Sequence, residues 1–463
     1  MEEHDVVVIG MGPGGEEVAG RLAEAGLDVL GVEAELVGGE CPYWACVPTK
    51  MMVRAGETLA EAGRVGALAG SVEGVRADWA PVARRIRDEA TDDWDDTVAV
   101  DRFTGKGGRL VRGRGRLVER DVVEVVGPHG TSRHRARRGV VVASGSAPAV
   151  PDLDGLGTVP YWTNRGAVEA ATLPASLVVL GGGPVGCELA QVFARFGVEV
   201  TLVESSERPL SMEEPESGDL VRRVLEADGI RVLTRARATR VEPDGDGVRV
   251  TVDVRGPDRP EGGVVHAERL LVATGRRVDL AAVGLDVVGQ DASARAATVD
   301  ERCRVADGVW AVGDVTGRGA FTHVAMYQAG VVVRDVLGQD GPPASYHALP
   351  RVTFTEPEVG AVGLTERQAR ERLADVRTAQ VDIASTTRGW IHHTGNEGFL
   401  KLVVDGERDV LVGATAAGPS GGEVLGALAV AVHAGVPVAT LRSMIYAYPT
   451  FHRGIEAALA ELG

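Results

Sequence analysis

The chain opens with a run of apolar residues, followed by glycines and then by apolar positions of helical period. Asp5–Gly10 (DVVVIG) has the composition of a strand that is buried on both faces. Glu16–Ala25 repeats its apolar positions as a helix does, and Asp28–Val32 is a second buried strand, which ends at Glu33. The order strand, glycine turn, helix, strand predicts a βαβ unit with a parallel sheet.

The turn between the first strand and the helix reads Gly10-Met11-Gly12-Pro13-Gly14-Gly15. Gly10 allows the tight turn, Gly12 lets the backbone approach a pyrophosphate, and Gly15 lets helix and strand pack closely. The helix N-terminus then faces the phosphates, and Glu33 accepts hydrogen bonds from a ribose. A glycine motif alone is weak, but all of its parts are present here in order, which predicts a dinucleotide site.

The same pattern occurs a second time. Its parts are, in order, the strand Leu177–Leu180, the turn Gly181-Gly182-Gly183-Pro184-Val185-Gly186, the helix Cys187–Phe196, the strand Glu199–Val203 and Glu204. Neither copy has lost a glycine or its acid, which argues against one of them being a structural remnant. Two complete fingerprints predict two different dinucleotides, with Gly181, Gly183 and Gly186 as contacts of the second.

The acid of the second copy bears on the choice of nicotinamide cofactor. A carboxylate at this position hydrogen-bonds the 2′-hydroxyl of NAD and repels the 2′-phosphate of NADP. Arg208 lies close to Glu204 in sequence and would weaken that repulsion. We therefore expect NAD(P)H to bind, with NADH preferred over NADPH.

Length and composition narrow the class of protein. With 463 residues the chain is too long for one hydrophobic core, so about two to four domains are expected. A net charge of −17 argues against nucleic acid or an anionic membrane as the main partner. No stretch approaches the ~18 uninterrupted apolar residues of a membrane span, and no secretory signal is recognisable, so we expect a cytoplasmic location. Four cysteines in so long a chain are not an extracellular disulfide framework.

Two of these cysteines form a close pair after the first fingerprint, in the segment Gly38–Lys50 (GGECPYWACVPTK). This segment resembles the signature of the pyridine nucleotide–disulfide oxidoreductases, the flavoprotein family of dihydrolipoamide dehydrogenase, glutathione reductase and mercuric reductase. A zinc site would need two further ligands at metal spacing, which the neighbourhood lacks, and an inert buried pair is the other alternative. We expect Cys41 and Cys46 to be redox active, and we predict no metal site.

The resemblance extends along essentially the whole chain. Val140–Pro148 (VVVASGSAP) and Val309–Asp314 (VWAVGD) are similar to flavin-contacting motifs, and Leu270–Arg276 (LLVATGR) to the turn that closes the nicotinamide domain. Pro350–Leu364 and Gly398–Val404 resemble the C-terminal dimerisation domain, which in this family lends residues to the partner's active site. Besides the glycine turns and their acids, the resemblance implies cofactor contacts at Gly39, Lys50, Gly115, Ser144, Gly145, Ser146, Gly275, Asp314 and Thr322.

The resemblance also implies the route of the electrons. Hydride passes from NADH to FAD and then to the Cys41–Cys46 disulfide, after which Cys46 is the thiolate next to the flavin and Cys41 the thiol that attacks the acceptor. Because a helix start lowers the pKa of a thiol, we expect a thiolate to be available in this segment. Lys50 follows Cys46 by one helical turn, and Glu188 matches the family's glutamate that pairs with this lysine near the flavin. The alternative for Glu188 is a first-turn acid that the helix dipole stabilises.

The C-terminal segment departs from the family. Most disulfide-reducing relatives have His-Pro-Thr-x-x-Glu, in which the histidine is the acid–base and the glutamate orients it, whereas this chain has Tyr448 and Arg453 at those positions. A phenol is a poor base at neutral pH but a usable donor or ligand, so we expect disulfide exchange to be slow. His452 would share a face with Tyr448 only in a helix, and Pro449 disfavours helical geometry there.

Two further features bear on the acceptor. Mercuric reductases end in a vicinal cysteine pair, whereas no cysteine follows Cys303 here, so mercury detoxification is the weaker candidate. Tyr43 and Trp44, within the cysteine segment, form either a flat apolar wall for a quinone or ordinary core packing. The sequence leaves both alternatives open.

We therefore predict an α/β homodimer with two Rossmann-like dinucleotide-binding domains, for FAD and NAD(P)H, and a C-terminal α+β dimerisation domain. The predicted bounds are 1–148 and 277–345 for the two parts of the FAD domain, 149–276 for the NAD(P) domain and 346–463 for dimerisation. The predicted activity is NADH-dependent reduction of a small-molecule acceptor through FAD and the cysteine pair, similar to dihydrolipoamide dehydrogenase. Alternatives are a quinone or dye reductase that uses the flavin directly, a mercuric reductase-like enzyme, and a non-catalytic redox sensor.

Overall fold

The structure, a computed structural model, describes residues 1–254 and 263–462. The strands are β1 (Glu2–Ile9), β2 (Val29–Glu33), β3 (Arg109–Arg112), β4 (Arg114–Glu119), β5 (Val122–Gly127), β6 (Gly130–Val142), β7 (Ala147–Pro148), β8 (Ser176–Leu180), β9 (Glu199–Val203), β10 (Arg231–Leu233), β11 (Ala236–Asp244), β12 (Gly247–Val254), β13 (Gly263–Ala267), β14 (Arg269–Val272), β15 (Arg276–Arg277), β16 (Arg304–Ala306), β17 (Val309–Ala311), β18 (Pro350–Thr353), β19 (Glu358–Gly363), β20 (Val376–Asp382), β21 (Phe399–Asp405) and β22 (Val410–Gly418). The α-helices are α1 (Pro13–Glu24), α2 (Glu40–Tyr43), α3 (Cys46–Leu68), α4 (Ala80–Arg85), α5 (Thr97–Gly105), α6 (Asn164–Val168), α7 (Pro184–Arg195), α8 (Pro215–Ala227), α9 (Thr322–Val336), α10 (Glu366–Arg372), α11 (Thr387–His392), α12 (Gly421–Ala434), α13 (Val438–Arg442) and α14 (Gly454–Ala460). None of the helices in these described ranges has the length and apolar character needed to cross a bilayer.

The chain forms two compact units, each assembled from three separate segments. The first unit contains Met1–Thr49, Arg84–Ala149 and Gly275–Ser345. The second unit contains Lys50–Ala83, Val150–Thr274 and Tyr346–Gly463. Each unit has its own sheets and its own apolar cores.

An eight-stranded sheet forms the centre of the first unit, in the order β16-β17-β6-β1-β2-β3, with β5 and β4 continuing from β6. β1 pairs in parallel with β2 and β6, and β17 pairs in parallel with β6. Val6 and Val8 enter the core on one face, and Val7 and Ile9 enter the core on the other. A parallel sheet is covered on both faces, which explains the uninterrupted apolar run of β1. The βαβ unit predicted from the sequence is present as β1, α1 and β2.

The described residues of the second unit form three sheets. β8, β9, β10 and β14 form a parallel sheet around the second glycine turn, and the antiparallel strands β11, β12 and β13 share a core with it through residues such as Val178 and Val250. The third sheet, in the order β18-β19-β22-β21-β20, is antiparallel. Leu428 of α12 and Leu459 of α14 pack against its Leu402. The predicted fold class, two parallel dinucleotide-binding arrangements and a C-terminal α+β domain, is therefore confirmed.

Candidate functional site

The first glycine turn follows the carboxyl end of β1, and close backbone contacts require its outer glycines. A Cβ on Gly15 would lie 2.0 Å from the carbonyl oxygen of Gly10, and a Cβ on Gly10 would lie 2.4 Å from that of Ala143. The middle glycine differs, because a Cβ on Gly12 would have no neighbour closer than the Cα of Gly39, at 4.0 Å. The packing of the protein does not demand a glycine at that point. The open space in front of α1 fits the pyrophosphate of a dinucleotide.

The second turn repeats this arrangement after β8. A Cβ on Gly186 would lie 1.9 Å from the carbonyl oxygen of Gly181, and one on Gly181 would lie 2.4 Å from that of Ala273. The middle glycine, Gly183, again has open space on its Cβ side, with nothing within 4 Å. Two turns with the same tight outer glycines and the same open middle position fit two dinucleotides.

The acids at the ends of β2 and β9 are held in the same way. Each carboxylate accepts two backbone N–H hydrogen bonds of 2.5–2.7 Å, one from its glycine turn and one from the residue two positions after the acid. The donors to Glu33 are Met11 and Glu35. The donors to Glu204 are Gly182 and Ser206. Burial raises the pKa of Glu33 above its ordinary value, although these hydrogen bonds oppose the shift. The amide donors fix each carboxylate at the strand end, where a ribose-binding acid has to be.

Arg208 is already engaged by other acids. Its guanidinium lies 3.3 Å from Asp219 and 3.7 Å from Glu207. These two carboxylates compete with a ligand phosphate for the positive charge, so Arg208 offsets the charge of Glu204 less than its place in the sequence suggests.

A hydrogen-bonded group surrounds Asp314 in the first unit. Ser146 Oγ donates to Asp314 Oδ2 (2.5 Å), and Arg276 donates to both Ser146 Oγ and the Ser146 carbonyl oxygen (2.6 Å each). Arg276 also lies 3.7 Å from Glu40, the residue before Cys41. Ser146 and Asp314 were predicted from the sequence. The role of Arg276 in orienting them was missed, although it is the last residue of the LLVATGR motif.

The remaining predicted cofactor contacts of the first unit lie at turns and strands of its sheet. Gly145 and Gly275 have φ values of +64° and +112°, which favour glycine. Gly115 lies within β4, where a Cβ would approach a methyl group of Val32 to 3.0 Å. Ser144 follows the end of β6. These positions keep the backbone close to the sheet edge at which the first glycine turn lies.

Cys41 and Cys46 lie in α2 and at the first residue of α3, and the pair is in its dithiol form. Their thiols are hydrogen-bonded to each other, and Cys46 Sγ lies 3.4 Å from Thr322 Oγ1, at the start of α9. The hydrogen bond to Cys46, together with burial, raises the pKa of Cys41. For Cys41 the expected lowering of the pKa by a helix start was therefore wrong. The Cys41 thiol is therefore harder to deprotonate than an ordinary cysteine thiol.

Lys50 and Glu188 form an ion pair in the second unit. Lys50 Nζ is 2.6 Å from Glu188 Oε2, and the other carboxylate oxygen accepts the N–H of Phe354 at 2.9 Å. Lys50 Nζ also lies 4.7 Å above the centre of the Phe354 ring. The Glu188 side chain is 5% exposed, and a carboxylate so deeply buried needs these partners. Glu188 lies beyond the first turn of α7, so the alternative of a dipole-stabilised first-turn acid was wrong.

The C-terminal segment places Tyr448 and His452 among different neighbours. Tyr448 is 64% exposed, and the Arg453 guanidinium lies 4.9 Å from the centre of its ring. His452 Nδ1 is 3.1 Å from Thr450 Oγ1, and its ring packs against Tyr446. Helix α14 begins only after both residues, so they share no helical face, as the proline predicted. These contacts do not support a shared role of His452 and Tyr448.

Tyr43 and Trp44 are buried, at 6% and 8% exposure. The Tyr43 hydroxyl donates to the Val37 carbonyl oxygen at 3.2 Å, and the two rings pack at a tilt. Of the two alternatives that the sequence left open, these contacts favour core packing. Cys187 and Cys303 are also fully buried.

Two dinucleotide cradles, each with a fixed acid, and a hydrogen-bonded cysteine pair define the class: a redox protein that binds two dinucleotides. The match to known families agrees with this class. Residues 4–329 match the model of the pyridine nucleotide-disulphide oxidoreductases, and residues 349–459 match the dimerisation domain of the same family. The chain belongs to the pyridine nucleotide-disulphide oxidoreductase family, whose members are enzymes that use FAD and NAD(P)H.

Relatives of two activities are similar over nearly the whole chain. A mercuric reductase of Bacillus cereus is 32% identical over 461 residues, which cover 99% of this chain and 71% of the relative. A dihydrolipoyl dehydrogenase of Geobacillus stearothermophilus is 31% identical over 478 residues, covering 100% of this chain and 97% of the relative. Among solved structures, the Cu(II) complex of the HOCl-induced flavoprotein disulfide reductase RclA from Escherichia coli superposes with a TM-score of 0.85 at 25% identity, over 99% of both chains.

Proposed function

We propose that this chain is an NADH-dependent reductase whose Cys41–Cys46 pair passes electrons to an acceptor that needs no acid–base histidine. When bound, FAD supplies the two-electron transfer between NADH and the cysteine pair. The observation that carries the proposal is the C-terminal segment, where Tyr448 and Arg453 stack on each other at the positions of the family's histidine and glutamate. The predicted cofactor contacts, the roles of Lys50 and Glu188, and the domain bounds stay predictions.

Disulfide exchange places two demands on protons that this chain meets poorly. The thiol of Cys41 must lose its proton before it attacks, and the departing thiolate of the acceptor must gain one. The raised pKa of Cys41 makes the first demand harder. A phenol with an ordinary pKa of about 10 provides neither step efficiently at neutral pH. Lipoamide and glutathione disulfide are therefore poor substrates under this proposal.

A thiol-binding metal ion removes the second demand, because its reduction releases no thiolate that has to be protonated. It also eases the first, because the ion displaces the thiol proton when it binds. Soft thiolates bind such ions well. The mercuric reductases and the Cu(II) complex of RclA among the similar proteins favour this acceptor class. The two electrons of one NADH suffice for two Cu(II) ions, which become Cu(I), or for one Hg(II) ion. Since no cysteine follows Cys303, we propose Cu(II) ahead of Hg(II).

A quinone is the second candidate acceptor from the sequence. Its support was the aromatic wall of Tyr43 and Trp44, and both rings are buried in the first unit. We therefore rank a quinone below a metal ion and keep it as one arm of the experiment.

We also propose a homodimer. The C-terminal dimerisation domain exposes apolar side chains that a partner subunit would cover, among them Ile445 (99% exposed) and Val430 (65%). Large apolar side chains that are exposed in a dimerisation domain are candidates for the interface.

The test is an acceptor panel with NADH: Cu(II) with a Cu(I) chelator as reporter, lipoamide, and a benzoquinone. We expect Cu(II) to be reduced fastest by the wild type and its reduction to be lost in Cys41→Ser. Persistence of Cu(II) reduction in Cys41→Ser, or faster turnover of lipoamide than of Cu(II) by the wild type, would contradict the proposal.

A double variant rebuilds the family's base. We expect Tyr448→His with Arg453→Glu to raise lipoamide turnover by about 10²-fold, the lower range of what a positioned base supplies. Tyr448→Phe is the matched control, because it removes the hydroxyl without adding a base, and it should leave lipoamide turnover low. If the double variant is no faster than the wild type, the missing base does not limit exchange and the shape of the acceptor site becomes the cause.

A further inference from the structure

A glutamate and two histidines meet at the amino end of β1. Within residues 1–254 and 263–462, Glu2, His4 and His134 form the one group of three or more histidine, cysteine, aspartate or glutamate residues whose ligand atoms all lie within 4.8 Å of one another. His4 Nε2 is 3.3 Å from His134 Nδ1, and Glu2 Oε2 lies 3.8 and 3.9 Å from these nitrogens. The histidines are 0% and 4% exposed.

Strand pairing brings the three residues together. Glu2 of β1 lies opposite His134 of β6, and the register of this pair of strands shifts between His4 and Val6. Such a bulge re-aims the neighbouring side chains. His4 precedes Gly10 by six residues, which is roughly 20 Å at about 3.3 Å per residue of strand, so the group is separate from the first nucleotide cradle.

The far side of each imidazole is already held. His134 Nε2 is 2.9 Å from Ser132 Oγ, which leaves Nδ1 as the nitrogen that faces the group. His4 Nδ1 is 3.4 Å from Asp28 Oδ1 and 2.8 Å from Arg109 Nη2, and Arg109 in turn donates to both Asp28 oxygens at 2.6 Å. A carboxylate behind a ligating histidine is the usual support of a metal ligand.

We propose that Glu2, His4 and His134 bind a divalent transition metal ion, and that Zn²⁺ fits best. Bonds of about 2.0–2.1 Å in a tetrahedral site hold two nitrogens about 3.3–3.4 Å apart, whereas ligands at a right angle lie about 2.9 Å apart. The two ring nitrogens already lie 3.3 Å apart. Glu2 has to approach by roughly half an ångström, which its 71% exposed side chain permits, and water completes the tetrahedron.

Proton positions account for both states of the group. Without a metal ion, Arg109 donates to His4 Nδ1, and the proton on Nε2 bridges to His134. When the ion binds, His4 changes tautomer: its single proton moves from Nε2 to Nδ1, from which it is donated to Asp28, and the freed lone pair of Nε2 binds the ion. Arg109 then keeps its two hydrogen bonds to the carboxylate. The ion ties the first residues of β1 to β6, so binding should stabilise the fold.

The experiment uses the FAD-loaded protein with Cys41→Ser and Cys46→Ser, because thiols bind zinc themselves. Calorimetric titration with Zn²⁺ should show one equivalent bound and a raised thermal midpoint. Glu2→Gln should weaken binding by about tenfold or more, and His134→Gln by about 100-fold. Glu3→Gln is the matched control, because it removes the same charge from the neighbouring exposed position and should change neither value.

Three results would overturn the proposal. The first is the absence of stoichiometric binding in the protein that lacks Cys41 and Cys46. The second is equal weakening by Glu2→Gln and Glu3→Gln, which indicates general electrostatic attraction. The third is a six-coordinate absorption spectrum for the Co²⁺-substituted protein. If His134→Gln does not fold, Glu2→Gln still decides the question, because the Glu2 side chain is exposed and its replacement leaves the core intact.

Discussion

At the residue scale, the hydrogen bond between Cys41 and Cys46 controls how easily Cys41 loses its proton. Cys46→Ser removes the main cause of the raised pKa of Cys41. We expect that pKa to fall, so that a larger fraction of Cys41 is thiolate at pH 8. Alkylation of reduced Cys41 by iodoacetamide at this pH should then accelerate about tenfold, as measured by mass spectrometry of peptides. Cys187, which is fully buried, is the internal control and should stay unmodified.

The visible absorption spectrum provides a second test of the charge on the two cysteines. Cys41→Ser should show a long-wavelength thiolate-to-flavin absorption band without prior reduction, because Cys46 keeps the charge. Cys46→Ser should retain FAD but show no such band.

For the alkylation experiment, equal rates for Cys41 in the wild type and in Cys46→Ser would show that the hydrogen bond does not control the pKa of Cys41.

Cofactor preference is also decided by single residues. Glu204→Gln should narrow the ratio of kcat/KM for NADH and NADPH by about tenfold, which corresponds to about 1.4 kcal/mol. The reason is that two backbone amides fix the Glu204 carboxylate, while Arg208 is engaged by Asp219. Steady-state kinetics with both nucleotides measure the ratio. Glu199→Gln, which removes an exposed charge at the opposite end of β9, should leave the ratio unchanged, and a wild type that prefers NADPH would contradict the argument.

At the scale of elements, Lys401 joins β21 to the starts of α8 and α10. Its ammonium group lies 3.0, 2.8 and 2.9 Å from Glu214, Glu216 and Glu366. Burial lowers the pKa of Lys401, but the hydrogen bonds to these carboxylates outweigh burial and raise it above its usual range. Lys401→Met leaves the buried Glu214 without its cation and should lower the free energy of unfolding by about 3–5 kcal/mol in urea titrations.

A control variant and the pH dependence of stability test the role of Lys401 separately. Lys106→Met removes a more exposed lysine that pairs with Glu24 and should cost less than about 1 kcal/mol. The hydrogen bond from Lys401 lowers the pKa of Glu366. The resulting stability is present above the unfolded pKa of about 4.3 and is lost as the pH falls through the lower folded value. The difference between wild type and Lys401→Met should therefore shrink below about pH 4, and a difference that does not depend on pH would contradict the ionic mechanism.

At the scale of the whole molecule, the exposed apolar side chains of the C-terminal domain bear on assembly. Ile445→Asp places a charge where we propose that a partner subunit packs, so the variant should elute as a monomer in size-exclusion chromatography with light scattering. The resemblance to the family implies that this domain lends residues to the partner's active site, so acceptor reduction should be lost together with the dimer. Val126→Asp changes an exposed apolar residue of the first unit and should remain dimeric. A monomeric wild type would contradict the proposal.

The sequence by itself determined the two βαβ units, their glycine turns and their acids. The reason is that these features depend on local geometry. Gly15 is required because its Cβ would strike the backbone only five residues earlier, and Glu33 is held by amides of its own turn and of the adjacent glycine turn. The spacing of the cysteine pair and the replacement of the histidine by Tyr448 could be read for the same reason.

Only the tertiary structure decided the features that depend on residues far apart in the chain. The burial of Tyr43 and Trp44, and the group of acids around Lys401, arise from packing that no local spacing encodes. The same holds for His4 and His134, which lie 130 residues apart in sequence and meet because β1 pairs with β6. Burial and long-range contacts set the partners and protonation of these side chains, and both appear only when the chain has folded.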